Sequence, residues 1–291
     1  MSYSPSQTIK LGLIGNPIKH SKSPLLFKAA YENSEFIYDL VEAESANEAL
    51  QRVINEEYIG VNVTSPFKDD VMKFVTKPDR VSSLLKSANI LIREGEDIYS
   101  YNSDYYGVYN TIEDYIKSDG AIKITSALVI GAGGAGKAAA LALRDMGLKV
   151  YLANRSVDKA AAFVNDINSC SIQSNKSTIN NITIENKIDK NAKAITLNSI
   201  NDIIDECQLI VYTLAFKIPQ IDEARWGGKV VFEANYANAQ FGGATENSTN
   251  KTKKLPYAYL NGKYWLYNQA IPAFKLFTQR EPYSKDMWKV L

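Results

Sequence analysis

Residues 127–156 read ALVIGAGGAGKAAALALRDMGLKVYLANRS. Ala127 to Ile130 is a short β-rich run, Lys137 to Met146 has the composition of a strong helix stopped by Gly147, and Lys149 to Ala153 is a second β-rich run. The spacing predicts a βαβ unit of about 30 residues. At its first turn, Gly131, Gly133 and Gly136 match G-x-G-x-x-G. The first glycine allows the tight turn, the second lets backbone approach a pyrophosphate, and the third lets helix pack on strand. Phosphates then meet the free N–H groups and dipole of a helix N-terminus. Gly131, Gly133, Gly134, Ala135 and Gly136 are therefore candidate dinucleotide contacts. The same stretch comes close to a Walker-type phosphate loop, but Ala138 stands where that motif needs Ser or Thr for magnesium. A glycine turn without a ligand is the plain alternative. NAD-binding folds place Asp or Glu about 20 residues on, against the ribose 2′-hydroxyl. Here Asn154-Arg155-Ser156 occupies that place. A guanidinium pairs bidentately with a 2′-phosphate, so NADP(H) is favoured, with a simple surface charge as the alternative for Arg155.

Strand-like and helix-like segments alternate on both sides of this unit. Ile9 to Gly15, Ile37 to Val41 and Tyr58 to Thr64 read as strands, and Ala46 to Asn55 as a helix with Leu50, Val53 and Ile54 inward. Ser23-Pro24 opens a helix reaching Glu32, with Ser23 as N-cap and Leu25, Leu26, Ala29 and Ala30 on its apolar face. Ser65-Pro66 repeats that cap chemistry and places Lys68 in the first turn of another helix. Ile90–Arg93 and Ile98–Tyr101 flank Glu94-Gly95-Glu96-Asp97 as a hairpin. Further on, Tyr109–Ile116 reads as a helix, and Leu209–Thr213 and Val230–Ala234 as strands. Asn165–Asn191 reads as a loose, Asn-rich excursion. Gln240–Lys254 reads as a long polar loop whose Lys251-Thr252-Lys253-Lys254 run is solvated surface. Such alternation predicts an α/β fold, and 291 residues predict about two domains.

Composition narrows the chemistry. With 45% hydrophobic and 22% charged residues the chain has a globular balance, not a disordered one. A net charge of +1 leaves no electrostatic footprint for nucleic acid or an anionic membrane. One histidine, His20, excludes two-histidine metal sites and leaves proton transfer to Lys, Asp, Glu or Tyr. Cys170 and Cys207 cannot form a metal cluster alone, and no metal is expected; so few cysteines fit a reducing cytosol. Met1 to Lys10 lacks a basic segment followed by an apolar one, and no apolar run reaches 18 residues, so neither signal peptide nor membrane span is expected.

Three further stretches concentrate polar side chains. On the strand Tyr58–Thr64, Ile59, Val61 and Val63 share one face, which leaves Asn62 and Thr64 together on the other. Lys68 follows closely. A cation in a helix's first turn opposes the dipole unless something uses it. Asn62, Thr64 and Lys68 thus collect at the C-terminal end of a strand, where open α/β sheets bind ligands. In His20-Ser21-Lys22-Ser23-Pro24, two hydroxyls precede helix N–H groups that suit a carboxylate. In Asn102-Ser103-Asp104 the aspartate is either an N-cap or a functional acid.

In order and spacing, HSKSP at 20–24, NVTSPFK at 62–68, NSDYYG at 102–107, GAGGAG at 131–136 and NRS at 154–156 are similar to the motifs of the shikimate dehydrogenase family. The resemblance implies an N-terminal α/β substrate domain completed by the C-terminal helix (1–106 with 262–291) and a Rossmann NADP-binding domain (107–261). It implies reversible NADPH-dependent reduction of 3-dehydroshikimate to shikimate in a cytoplasmic monomer or homodimer. It assigns Lys68 and Asp104 as the catalytic pair and Ser21 and Ser23 to the substrate carboxylate. Asn62, Thr64, Asn89, Asp104 and Gln269 would meet the substrate's hydroxyls, and Tyr236 would line the cleft. The chain departs from the family at Tyr212-Thr213-Leu214-Ala215-Phe216, where an N-x-T stretch and a Gly-Met turn are usual. It departs again at Ser87-Ala88-Asn89-Ile90 and Glu233-Ala234-Asn235-Tyr236, and in Pro272, which would start or kink the last helix. A quinate-type relative and a non-catalytic ligand-binding member are the alternatives.

Overall fold

The computed structural model describes residues 9–31, 36–170, 192–242 and 255–291. The Asn-rich excursion beyond Cys170, the polar loop beyond Gly242 with its lysine run, and residues 1–8 lie outside them. Contacts divide the chain into two compact units, Met1–Ser103 with Gln269–Leu291, and Asp104–Asn268.

The first unit begins with strand β1 (Ile9–Gly15), helix α1 (Ser23–Ala30), strand β2 (Phe36–Glu42), helix α2 (Ala46–Asn55) and strand β3 (Gly60–Val63). It continues with β4 (Lys77–Pro78), α3 (Arg80–Leu85), β5 (Ile90–Glu94) and β6 (Asp97–Tyr101). The sheet order is β2-β1-β3-β5-β6-β4. The first three strands are parallel, while β5 runs antiparallel to both β3 and β6. The expected hairpin closes with Glu94 opposite Asp97, and Gly95 takes φ 63°. α2 has the expected bounds, and its N-cap Ser45 accepts from the Glu48 N–H. Ala49, Leu50 and Val53 pack with Ile14, Val61 and Val63 in one buried cluster, each large side chain contributing about 1.5–3 kcal/mol of burial.

Several local expectations are corrected. In α1, Ser23 is the first helical residue rather than the N-cap; Lys22 holds that place, and the Ser23 N–H bonds to Ser21 Oγ at 3.2 Å. Leu25 is exposed, and Phe27, not expected inside, is buried, because α1 turns that side to the sheet. Ile54 is likewise exposed on α2. Ser65-Pro66 does not open an α-helix. Its peptide bond is cis, the chain makes turns through Asp69, and only a short 3-10 helix, Asp70–Phe74, follows. Ser-Pro reads the same in sequence whether it begins a helix or a tight turn.

The second unit runs α4 (Asp104–Lys117), β7 (Ser126–Ile130), α5 (Gly134–Asp145), β8 (Lys149–Asn154), α6 (Val157–Ser169), β9 (Ala192–Thr196), α7 (Ile200–Ile203), β10 (Leu209–Tyr212), β11 (Val230–Glu233) and β12 (Ala258–Leu260). Its sheet is all parallel, ordered β12-β11-β10-β7-β8-β9. That is the doubly wound order, with its reversal of direction at β7 and β10. Both faces are covered, so the strands are nearly continuous apolar runs; all of β7, β10 and β11 is buried. The helix expected over 109–116 begins earlier, at Asp104, and residues 165–169 of the expected excursion belong to α6, with Ile167 fully buried. The last helices are α8 (Gly262–Thr278) and α9 (Ser284–Lys289). Pro272 sits inside α8 rather than at its start, and its missing N–H frees only the Asn268 carbonyl. No helix among the described residues is long and apolar enough to cross a membrane.

Candidate functional site

In the first unit the polar residues expected from the sequence converge on one face of the sheet. Asn62 lies on β3 in register with Leu13 of β1, and Tyr38 of β2 is level with Leu11. The Tyr38 phenol donates to Asn62 Oδ1 at 2.7 Å, and Asn62 Nδ2 donates to the Asn89 carbonyl at 3.2 Å. Val63 N–H reaches that same carbonyl at 2.9 Å, so the two asparagines are locked across the end of β3. Asn89 Oδ1 accepts from the Ser103 N–H at 2.7 Å, while Ser103 Oγ donates to Gln269 Oε1 at 2.9 Å. Asn89 Nδ2 also lies 3.5 Å from Gln269 Oε1. Asn62, Asn89 and Ser103 are all buried, where an unmade hydrogen bond costs about 1–3 kcal/mol, so the network is tightly specified.

At the other end of this row, Ser21 Oγ donates to Ser23 Oγ at 3.2 Å, and Ser23 hydrogen-bonds the Tyr38 phenol. Tyr38 stacks on Phe27 at 4.8 Å and meets the edge of Phe274 from α8. Burial pushes its pKa far up, only partly offset by Ser23. Lys68 is placed beside the row by its backbone, its carbonyl accepting from the Ala88 N–H at 2.9 Å. Thr64 follows β3, with its N–H on the Ile14 carbonyl and its methyl against Gly15, where a Cβ would come within 2.4 Å. His20 is exposed. Tyr38 and Ser103 are absent from the sequence expectations. Nothing in the sequence of β2 marks the first, and the Asn-Ser-Asp triplet was the available signal for the second.

The second unit holds the remaining candidates. Asp104 opens α4, where a carboxylate is favoured by the dipole. The glycine turn joins β7 to α5. Gly131 has φ 104°, and a Cβ there would lie 2.5 Å from Thr213 Oγ1; one on Gly136 would lie 1.8 Å from the Gly131 carbonyl oxygen. These two glycines are demanded by the turn itself. Gly133 and Gly134 differ, because nothing lies within 4 Å of a Cβ at either. Gly133 is the N-cap of α5 and makes no side-chain cap bond to its first N–H groups. A pyrophosphate fits this cradle on both counts. Asn154 ends β8 with Nδ2 on the Ser156 carbonyl at 3.0 Å, and Arg155 and Ser156 are exposed. Residues 154–156 at that strand end include no carboxylate to meet a ribose 2′-hydroxyl or repel a 2′-phosphate.

Two second-unit residues shape the loops at the strand ends. Glu233, fully buried, accepts from the N–H groups of Gln240 (2.6 Å) and Phe241 (3.2 Å) and from the Tyr259 phenol (2.8 Å). It therefore anchors the loop that carries Tyr236, whose phenol pKa is raised by burial. Tyr212, also fully buried, donates to the Phe216 carbonyl at 2.8 Å and accepts from the Ile218 N–H at 3.1 Å. The departure noted at 212–216 is thus a loop stapled by one phenol, beside Thr213 Oγ1, which donates to the Ile130 carbonyl at 2.9 Å. Among the described residues no three or more His, Cys, Asp or Glu side chains gather as a metal site would.

Comparison with known proteins follows this division. Residues 13–91 match the sequence model of the shikimate dehydrogenase substrate-binding domain. Residues 121–224 match that of the acetohydroxy acid isomeroreductase NADPH-binding domain. A shikimate dehydrogenase (NADP(+)) of Natronomonas pharaonis is 38% identical over 161 residues, 54% of this chain and 58% of that protein. The chain spans little more than half the length of the curated relatives of this kind that it matches. The solved shikimate dehydrogenase of Aquifex aeolicus is 25% identical, with a TM-score of 0.75 over 99% of both chains. A quinate dehydrogenase from Corynebacterium glutamicum in complex with NAD, 20% identical, shares the fold with a TM-score of 0.77 over 98% of both chains.

Proposed function

We propose that the chain is a member of the shikimate dehydrogenase family that interconverts 3-dehydroshikimate and shikimate with NADP(H), a step of aromatic amino acid biosynthesis. The observation that carries this proposal is the hydrogen-bonded row from Ser21 to Gln269, in which side chains from α1, β2, β3, α8 and three loops converge. Such a row suits a small ligand bearing a carboxylate at one end and hydroxyls at the other. The unit Met1–Ser103 with Gln269–Leu291 serves as the substrate domain and Asp104–Asn268 as the dinucleotide domain, close to the 1–106 with 262–291 and 107–261 expected from the sequence.

Ser21 and Ser23 turn their hydroxyls to the carboxylate at the start of α1, where the dipole also favours an anion. Asn62, Thr64, Asn89 and Gln269 hold the ring hydroxyls, and Tyr236 is a further candidate substrate residue. Gln269 Oε1 is engaged by Ser103, so its Nε2 is left to donate outward. Gly131, Gly133, Gly134, Ala135 and Gly136 hold the pyrophosphate, and Asn154, Arg155 and Ser156 hold the 2′-phosphate. When bound, the nicotinamide supplies or accepts the hydride. Lys68 gives the proton to the ketone oxygen as it becomes an alkoxide, and takes it back in the oxidative direction. Asp104 is the second member of the proposed catalytic pair. A positioned acid of this kind is worth about 10²–10⁴ in rate. Two cysteines without a disulfide fit a reducing cytosol, and the protein works there as a monomer or homodimer.

NADPH absorbance, followed with shikimate or quinate and with NADP or NAD, tests the proposal. Turnover of shikimate with NADP is expected. A stronger response to quinate would move the assignment to a quinate-type relative. No turnover with any pair, beside measurable shikimate binding, would make the chain a non-catalytic ligand-binding member.

A further inference from the structure

We propose that Tyr38 is a positioning residue of the substrate site, holding the Asn62 amide in one orientation whether or not the carboxylate end of the site is filled. The inference rests on the function proposed above. Strands β2 and β3 flank β1, so their backbones stand about 10 Å apart. The Tyr38 phenol bridges this gap over β1 and ends on Asn62 Oδ1 at 2.7 Å. The ring cannot swing away, being stacked on Phe27 and edged by Phe274. With one lone pair of Oδ1 so engaged, Nδ2 is directed to the Asn89 carbonyl, and the amide's second N–H and the other lone pair of Oδ1 are held in fixed directions toward a ligand.

The direction of the hydrogen bonds gives Tyr38 its particular role. In the structure, protons run inward along the row: Ser21 donates to Ser23, Ser23 bonds the phenol, and the phenol donates to Asn62. A bound carboxylate accepts only, so it draws the serine hydroxyl protons outward and removes Ser23 as a donor to the phenol. The row does not unravel past that point. Tyr38 keeps its own proton, since burial opposes its ionisation, and continues to donate to Asn62. Reversal at the serines therefore leaves the amide unmoved. Without the hydroxyl, Asn62 Oδ1 is a buried acceptor that has lost the phenol donor, and a flip would set amide oxygen against carbonyl oxygen at Asn89.

Tyr38→Phe tests this, with Tyr31→Phe as control. Tyr31 lies in the same unit, its phenol donating to the Arg280 carbonyl at 3.0 Å and accepting from Thr278 Oγ1 at 2.8 Å, and it takes no part in the proposed binding machinery. Each variant loses one phenol hydroxyl. In Tyr38→Phe, the KM and calorimetric Kd for shikimate should both rise roughly tenfold, the scale of one lost hydrogen bond at a buried group. Its kcat should stay within about twofold and its NADP KM should not move, because ring packing and Lys68 are untouched. Tyr31→Phe should lower the melting temperature and leave the shikimate KM alone. Equal KM changes in both variants, an unchanged shikimate KM in Tyr38→Phe, or failure of Tyr38→Phe to fold would each overturn the positioning role while the enzyme assignment stands. A wild-type protein that neither turns over nor binds shikimate would overturn the proposed function itself, and this inference with it.

Discussion

Gly133 and Gly136 lie three residues apart in one turn, yet alanine at each should fail in a different way. At Gly136 a Cβ falls 1.8 Å from the Gly131 carbonyl oxygen, backbone against backbone. Neither partner is a flexible side-chain end, so the cost belongs at or beyond the top of the overpacking range, about 3 kcal/mol. At a few degrees per kcal/mol, Gly136→Ala should melt about 6–12 °C below wild type. At Gly133 nothing lies within 4 Å of the new methyl, and the backbone takes φ −73°, which any residue adopts. Loss of a good N-cap and gain from a stiffer unfolded chain roughly cancel, leaving stability within about 0.5 kcal/mol. The methyl instead stands where a pyrophosphate approaches. Thermal shifts with and without NADP separate the two effects. At a ligand concentration of 100 Kd, wild type should gain about 2.7 kcal/mol; a tenfold weaker Gly133→Ala should gain about 1.4 kcal/mol at that same concentration. A full NADP shift in Gly133→Ala would refute the dinucleotide cradle, and a wild-type melt for Gly136→Ala would refute the close crossing of turn and helix.

Lys68→Met should lower kcat by about 10²–10⁴ while shikimate binding persists, and wild-type turnover in that variant would remove Lys68 from proton transfer. Arg155→Ala should raise the NADP KM roughly tenfold or more, as expected for a lost charge-assisted bond, and leave the NAD KM unchanged; equal effects on both would make Arg155 a surface charge. Burial pushes the phenols of Tyr31 and Tyr257 from their ordinary value near 10 to about 12. Above pH 10 the unfolded chain therefore binds fewer protons than the native one, so stability is constant below that pH and falls between 10 and 12. Denaturant titrations should show the fall, and Tyr31→Phe should flatten it. Burial also raises the Cys207 thiol to about 11, so alkylation at neutral pH should mark Cys170 and spare Cys207 until the protein unfolds.

Much of the fold is legible because local signals agree with it. The strand-turn-helix-strand at 127–156 carries both its periodicity and its glycines in one contiguous stretch, and Ser45 and Gly95 mark a helix start and a hairpin by chemistry that acts over a few residues. Where a local signal is ambiguous, the reading slips. Ser23-Pro24 and Ser65-Pro66 look alike, but one begins α1 and the other is a cis bond in a turn. Leu25 and Phe27 are both apolar, and only the rotation of α1 against the sheet decides which is buried. The polar positions at the end of β3 are legible from two-residue alternation alone. Their orientation is not, because it depends on partners that alternation cannot name.

Those partners share a physical character. Tyr38 and Asn62 are 24 residues apart, Glu233 and Tyr259 are 26, and Ser103 and Gln269 are 166. Each pair is brought together by sheet register or by a helix returning to a distant strand, and a register slip of one residue would turn the strand side chain to the opposite face. A tyrosine in a strand is ordinary on propensity grounds, so nothing in β2 alone separates Tyr38 from a core aromatic. What separates it is that its hydroxyl is level with an amide two strands away. The same holds for Tyr212: in sequence it is a departure from the family's usual residues, whereas in space its one hydroxyl meets a carbonyl and an N–H that close the loop at 213–218. Residues proposed to contact a ligand are thus found by their chemistry and spacing. Residues that aim them are found only once the register is known.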